Sequence, residues 1–168
     1  FGATSRLDDG VVHVSFPLTP SDTTRRALAA REHHAEVSSL RRVLRPRSVA
    51  VVGASRRPGK VGHEIARSLV EGGFAGDIHL VNRDGGEVLG RQACSDLREV
   101  GGPVDLVVVA VPFDDVIEVI EAAGDVGAAG AVVLSAGFAE DGPAGAERQR
   151  ALVETARRRG VRIIGPNC

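Results

Sequence analysis

From residue 48 onward the chain alternates short apolar runs, rich in Val, Ile and Ala, with stretches in which apolar residues recur every three or four positions. The first kind predicts strands at 49–53, 78–82, 104–111, 131–134 and 161–164, and the second predicts helices at 60–71, 95–100, 114–124 and 144–159. The run at 104–111 is apolar rather than alternating, the pattern of a strand covered on both faces. Strands and helices in alternation predict an α/β fold, a Rossmann-like parallel sheet with helices on both faces.

The residues before this pattern read differently. Val12, Val14 and Phe16 alternate with His13, Ser15 and Pro17, the period of a half-buried strand, and Asp8-Asp9-Gly10 ahead of them predicts a β-hairpin whose first arm is 3–7. Two strands alone are marginal in water, so this ribbon reads either as an edge on the main body or as the tail of a preceding domain. Ser21-Asp22-Thr23-Thr24 offers helix N-caps, and residues 25–44 contain no Gly or Pro. The helix this predicts has a thin apolar face (Leu28, Ala35, Val37, Leu40, Val43 and Leu44) and docks only at its C-terminal end. Arg45-Pro46-Arg47 stops it. The expected organisation is therefore a hairpin over 1–20, a linker helix over 21–45 and the main domain over 46–168.

Composition narrows the function. A net charge of −1 and an aromatic content of 3% argue against nucleic acid as a partner. Cys94 and Cys168 lack metal-ligand spacing, and His33 and His34 are neighbours that point to different sides of a helix, so no metal site is expected. Two such cysteines read as reduced thiols of a cytoplasmic protein. No apolar run is long enough to span a bilayer, and no membrane partner is expected. There is no Met anywhere, position 1 included, which reads as an internal segment of a longer protein. Association between copies is left open.

The candidate chemistry lies where the first strand of the main domain meets its helix. Val49-Ala50-Val51-Val52-Gly53 runs into a loop holding Ser55, Arg56, Arg57, Gly59 and the chain's only lysine, Lys60, before Val61, Gly62 and His63 open the helix. Glycines let backbone approach a ligand, and the unpaired N–H groups of a first helical turn, with the helix dipole behind them, attract phosphate. The loop is several residues longer than the G-x-G-x-x-G turn of NAD-binding domains, and its three cations suit a ligand more negative than NAD. Ligands of such sheets bind outside the carboxyl ends of the strands. There the sequence places Asn82-Arg83, Val111-Pro112, Ser135-Ala136-Gly137 and Gly165-Pro166-Asn167-Cys168. A NAD site wants a carboxylate after the second strand. Asn82 and Arg83 stand there instead, which leaves NADP and coenzyme A, both with a phosphate on a ribose. Asp114 or Asp115, with Glu118, is expected to cap the following helix, and Glu140 to be a solvated surface carboxylate. His63 is expected to hydrogen-bond near the ligand.

These same stretches, from Leu44-Arg45-Pro46-Arg47-Ser48 through Gly59-Lys60-Val61-Gly62, Val81-Asn82, Val111-Pro112 and Ser135-Ala136-Gly137-Phe138-Ala139-Glu140 to Gly165-Pro166-Asn167-Cys168, resemble the CoA-binding domain of NDP-forming acyl-CoA synthetases, relatives of the succinyl-CoA synthetase α subunit. The resemblance covers 44–168. It implies that Gly53 and Gly59 to Gly62, with Ser55 and Arg56, hold the CoA phosphates. It further implies that Asn82 and Arg83 flank the nucleotide end and that Val111, Pro112, Ser135, Ala136 and Gly137 line the ligand's path. Many relatives have Pro where Arg83 stands. The phosphorylated histidine of those synthetases lies in a later domain, so no histidine here takes that role and no catalytic residue is assigned. The implied ligand is CoA or an acyl-CoA, acetyl-CoA first, and the implied partners are other domains of the same parent chain. The first 20 residues resemble the closing strands of a GNAT acetyltransferase domain, which would make the parent similar to a protein lysine acetyltransferase fused to a synthetase-like ligase region. A rival reading is an NADP-dependent short-chain reductase, whose opening Gly53-Ala54-Ser55-Arg56 also resembles; the chain has no Tyr for that family's Tyr-x-x-x-Lys pair. A nucleotide-binding redox sensor without catalysis is a third.

Overall fold

A computed structural model describes residues 3–15 and 22–168 and divides the chain into two compact units, Phe1–Ser39 and Leu40–Cys168. In the first unit β1 (Thr4–Asp8) and β2 (Val11–Ser15) pair antiparallel, Leu7 opposite Val12 and Ser5 opposite Val14. The turn between them holds Asp9 at φ 46° and Gly10 at φ 79°, the left-handed geometry that Asp-Gly favours. The alternation predicted a half-buried strand, yet every residue of both arms is exposed, because a two-stranded ribbon has no second layer of its own to cover it. The expected continuation at 16–18 and the boundary at 20–21 lie outside the described residues. Helix α1 (Asp22–Leu44) follows.

The second unit is built on a sheet of seven strands: β3 (Ser48–Val52), β4 (Asp77–Val81), β5 (Gly86–Val88), β6 (Arg91–Cys94), β7 (Leu106–Val109), β8 (Gly130–Val133) and β9 (Arg162–Ile164). Their spatial order is β5-β6-β4-β3-β7-β8-β9, parallel except for the edge strand β5. Helices α2 (Val61–Glu71), α3 (Phe113–Asp125) and α4 (Pro143–Arg159) cover it. Because successive side chains of a strand point to opposite faces, β3 sends Val51 into the layer with Ala66, Leu80 and Ala93, where Ile65 and Leu69 of α2 pack. Ala50 and Val52 face the opposite layer with Val107, Val109, Val116, Ile120 and Leu152 under α3 and α4. All five residues of β3 are buried. The predicted parallel α/β sheet with helices on both faces is the fold observed.

Two expectations are corrected. The stretch 95–100 is a single 3₁₀ turn, Leu97–Glu99, closed by a reciprocal Asp96/Glu99 capping box that leaves only Leu97 buried. The strand expected at 104–111 is Leu106–Val109; Asp105 just before it is buried, its carboxylate taken up by Arg42 and the Arg47 N–H, and Pro112, which has no N–H to donate to a ladder, stands three residues past its end. The hairpin β5–β6 is not among the expected elements.

The chain order sets the site. It runs from β3 to its neighbour β4 on one side, then crosses to β7 on the other, so the connections leave the carboxyl end of β3 in opposite directions and open a crevice there. At the amino end of the sheet the last turn of α1 is fastened. Val43 is buried, and Arg42 donates from Nε to Asp105 Oδ1 at 2.7 Å and from Nη2 to the Gly127 carbonyl at 3.1 Å. Asp105 Oδ2 accepts from the Arg47 backbone N–H at 2.9 Å. Burial alone would raise the Asp105 pKa, but the Arg47 N–H and the Arg42 guanidinium outweigh it and hold the carboxyl below its ordinary value.

Candidate functional site

The junction after β3 is held by two glycines in van der Waals contact with backbone. Gly53 sits at φ 91°, and a Cβ there would fall 2.4 Å from the Ala110 carbonyl oxygen. A Cβ on Gly62 would fall 2.0 Å from the Gly53 carbonyl oxygen. The start of α2 therefore lies directly against the end of β3, at a distance no other residue type permits. Between them Arg56, Arg57, Pro58, Gly59 and Lys60 are all exposed. No side chain caps α2, and the N–H groups of Val61 and Gly62, its first two residues, have no acceptor within the helix.

The loop is braced from within. His63, 7% exposed, donates from Nδ1 to the Ser55 carbonyl at 2.7 Å, and Ser55 Oγ accepts from the Arg57 N–H at 3.0 Å. Glu64 Oε1 accepts from the Gly59 N–H at 2.9 Å while Arg67 donates to Oε2. The Gly59 N–H, then Arg67, hold the Glu64 carboxyl below its usual range. His63 thus shapes the loop through its backbone, and Glu64, which no motif in the sequence marks, occupies one of the N–H groups expected for the ligand.

Beside this loop, over the carboxyl ends of β3, β4 and β7, lies an open cleft of about 520 Å³. Val52, Val81, Leu97, Val111, Val119 and Ala122 give it apolar walls, and Asp84, Asp96, Asp115 and Glu118 carry carboxylates there beside Arg83 and Arg98. Among the predicted site residues the cleft gathers Gly53, Asn82, Arg83, Val111 and Pro112. Ser55, Arg56, Gly59, Lys60, Val61 and Gly62 form the neighbouring loop, and Ser135, Ala136 and Gly137 follow β8 on the far side of β7.

Each rim residue has a partner that the sequence did not reveal. Asn82 donates from Nδ2 to the Ala54 carbonyl at 2.6 Å and accepts at Oδ1 from the Asp84 N–H at 2.9 Å, clamping the end of β4 to the glycine loop. Arg83 Nη2 lies 2.8 Å from Asp115 Oδ2, and Arg56 Nη2 lies 3.6 Å from Asp84 Oδ2. Asp115 is therefore an ion-pair partner. The N-cap of α3 is Pro112, with no side-chain cap, so the expected capping role of the Asp114/Asp115 and Glu118 carboxylates is not realised. Ser135 Oγ donates to the Val111 carbonyl, tying β8 to β7. Gly137 at φ 103° packs against Phe113, and Arg148 lies 4.3 Å above that ring and donates to the Gly137 carbonyl. Glu140, expected as a solvated carboxylate, is exposed but accepts from the Gly137 and Phe138 N–H groups, and backbone bonds from its own N–H and those two hold its carboxyl below its ordinary value. It fixes this loop over the buried Phe138.

Cys94 is half-buried at the end of β6, opposite Val81, and Cys168 is exposed. Among the described residues no group of His, Cys, Asp and Glu could hold a metal ion, and no helix is long and apolar enough to cross a membrane.

Comparison with known proteins bears on this geometry. The α subunit of acetate–CoA ligase [ADP-forming] I of Pyrococcus furiosus is 42% identical over 77% of this chain and 29% of its own length. Acetate–CoA ligase [ADP-forming] II of Archaeoglobus fulgidus is 40% identical over 78% of this chain and 20% of its own. The solved apo structure of the dinucleotide-forming acetyl-coenzyme A synthetase 1 of Ca. Korarchaeum cryptofilum superposes with a TM-score of 0.73 at 38% identity, covering 76% of this chain and 28% of that one. The chain thus spans less than a third of the length of these relatives. The family model described as CoA binding domain matches residues 47–168, the sheet, the glycine junction and the cleft together, and it is to that CoA-binding family that the chain belongs.

Proposed function

We propose that the second unit holds CoA or an acyl-CoA across the carboxyl rim of its sheet, with the diphosphate at the glycine junction. Gly53 and Gly62 bring the start of α2 against β3, Val61 and Gly62 offer backbone N–H groups, and Arg56 and Lys60 supply charge at an exposed loop. Ser55, Gly59 and His63 keep that loop in shape. The adenosine enters the neighbouring cleft, whose apolar walls suit a base and whose carboxylates accept from its amino group. Asn82 and Arg83 stand at its ribose end. Val111 and Pro112, then Ser135, Ala136 and Gly137, border the way toward the acyl end. The observation that carries this reading is the pairing of a three-cation glycine loop with the cleft beside it in a chain of the CoA-binding family.

The residue roles imply a domain organisation. Residues 46–168 form the ligand module of a larger chain similar to the ADP-forming acetate–CoA ligases, 21–45 are a linker, and 1–20 are the closing hairpin of a preceding GNAT-like acetyltransferase domain. The hairpin supports this by its asymmetry: Leu7, Val12 and Val14 share one face of the ribbon with Ser5, while Thr4, Arg6, Asp8, His13 and Ser15 lie on the other with one apolar residue, Val11, as in a sheet with one covered side. The module itself carries no catalytic group; it presents CoA to the parent's other domains, with acetyl-CoA the first ester to try. Parallel calorimetric titrations with CoA, NADP and NAD test the reading. CoA binds and NAD binds much more weakly; NAD binding as tightly as CoA overturns it.

A further inference from the structure

The two rim carboxylates Asp84 and Asp115 each hold an arginine expected to meet phosphate, and one of these pairs has an unusual path. Arg83 follows β4, and Asp115 lies in the first turn of α3, which follows β7. In the sheet β3 stands between those strands, so at about 4.8 Å per strand spacing the pair bridges roughly 10 Å over the carboxyl end of β3. That end is Val52 and Gly53, and both, like Arg83 and Asp115, line the cleft. The guanidinium therefore lies across the route from the glycine junction to the β4 end, where the ribose of a nucleotide is held in sheets of this kind. The closest approach of the pair is Nη2 to Oδ2 at 2.8 Å, and the arginine side chain is 79% exposed against 32% for the aspartate. The anchored partner is Asp115 and the movable one is Arg83.

Resting on the CoA reading, we infer that the Arg83–Asp115 pair is a displaceable latch that selects ligands with a phosphate on the ribose. A dianionic phosphate at the β4 end offers Arg83 a more highly charged, fork-shaped acceptor than the monoanionic Asp115 carboxylate, and the arginine swings to it. A nucleotide without that phosphate leaves the latch closed and gains nothing from Arg83. Asp115 competes for Arg83 only where the arginine must be released, and its charge repels the more anionic ligand more, so it lowers the affinity for the phosphorylated ligand.

The test is calorimetry of the whole chain and two variants, Arg83→Gln and Asp115→Asn, each titrated with CoA and with 3′-dephospho-CoA, with thermal midpoints measured beside them. The unaltered chain prefers CoA by about tenfold, the size of one charge-assisted hydrogen bond at an exposed site. Arg83→Gln brings that ratio close to one by weakening CoA. Asp115→Asn raises it, by about threefold, as befits removal of one exposed ion-pair partner. A ratio near one in the unaltered chain, an equal weakening of both ligands by Arg83→Gln, or a ratio unmoved or lowered by Asp115→Asn overturns the latch while leaving CoA binding in place. Failure of both ligands to bind the unaltered chain removes the CoA reading itself and the latch with it.

Discussion

The two ends of the central sheet use the same kinds of residue to opposite effect. At the amino end Asp105 is buried, and its two carboxylate oxygens are met by Arg42 Nε and the Arg47 N–H, while its own N–H donates to Ser48 Oγ. At the carboxyl end Arg56 and Arg83 each meet one carboxylate at the surface, and Lys60 stands in an exposed loop. The first arrangement meets both oxygens of a buried carboxylate with donors and is a fastening. The second leaves guanidinium donors and helix N–H groups facing outward beside a cleft, which is how a protein keeps affinity in reserve for an anion. Charge by itself is no guide to which end binds; how fully each charge is satisfied, and how deeply it is buried, is.

The largest effect expected from breaking this contrast comes at the carboxyl end. Gly62→Ala forces a methyl group into the Gly53 carbonyl, so the start of α2 must move away from β3. CoA affinity should fall below detection, with a loss of about 1–3 kcal/mol of stability, the size typical of overpacked sites, read by urea unfolding and calorimetry on the same sample. A variant that keeps both stability and affinity would show that the close approach is dispensable.

At the amino end the prediction reverses the two readouts. Asp105→Ala removes an acceptor shared by Arg42 and Arg47 and should cost about 2–4 kcal/mol of stability, while CoA affinity of the folded protein stays unchanged. The same carboxylate has a pH signature. Its pKa is lowered on folding, so its contribution is fully present above the unfolded value near pH 4 and is lost as pH falls through the depressed folded value. Acid unfolding of the unaltered chain should therefore be steeper below about pH 4 than that of Asp105→Ala, and parallel acid titrations followed by circular dichroism check it.

The smallest structural effect and a selective functional one belong to Lys60→Glu. Lys60 is exposed and its side chain caps nothing, so the thermal midpoint should hardly move. CoA affinity should drop by more than the ~1.5–3 kcal/mol of one lost charge-assisted hydrogen bond, since repulsion is added. An unchanged affinity would place the phosphates elsewhere.

How much of this was legible in the sequence follows the same division. Strands β3, β4, β7, β8 and β9 could be read because residues covered on both faces are forced to be apolar, and Val49-Ala50-Val51-Val52 leaves few alternatives. The β5–β6 hairpin could not, because Glu87, Arg91 and Gln92 are exposed and its turn puts Leu89, an ordinary residue, at φ 53°. The glycine junction was legible in position, since Gly53 and Gly62 are required by backbone contact, but not in its internal bonds: Glu64 reaching back to Gly59 follows from no capping spacing. The partners of the arginines were invisible for a plainer reason. With 21 basic and 22 acidic residues, sequence spacing does not say that Arg83 will meet Asp115 across an intervening strand or that Arg42 will meet Asp105.

The central claim is that the carboxyl end of the sheet, and specifically the junction of β3 with α2, receives the phosphates of CoA. It is tested most directly by following the backbone amide resonances of the whole chain through a titration with CoA. The predicted result is that the largest shifts fall on residues 55–62, with a second group at Asn82 and Arg83, while the amides of Arg47, Asp105 and Ala129 at the amino end stay still. Shifts centred on the amino end, or a titration that leaves Val61 and Gly62 unmoved while CoA binds, would contradict it.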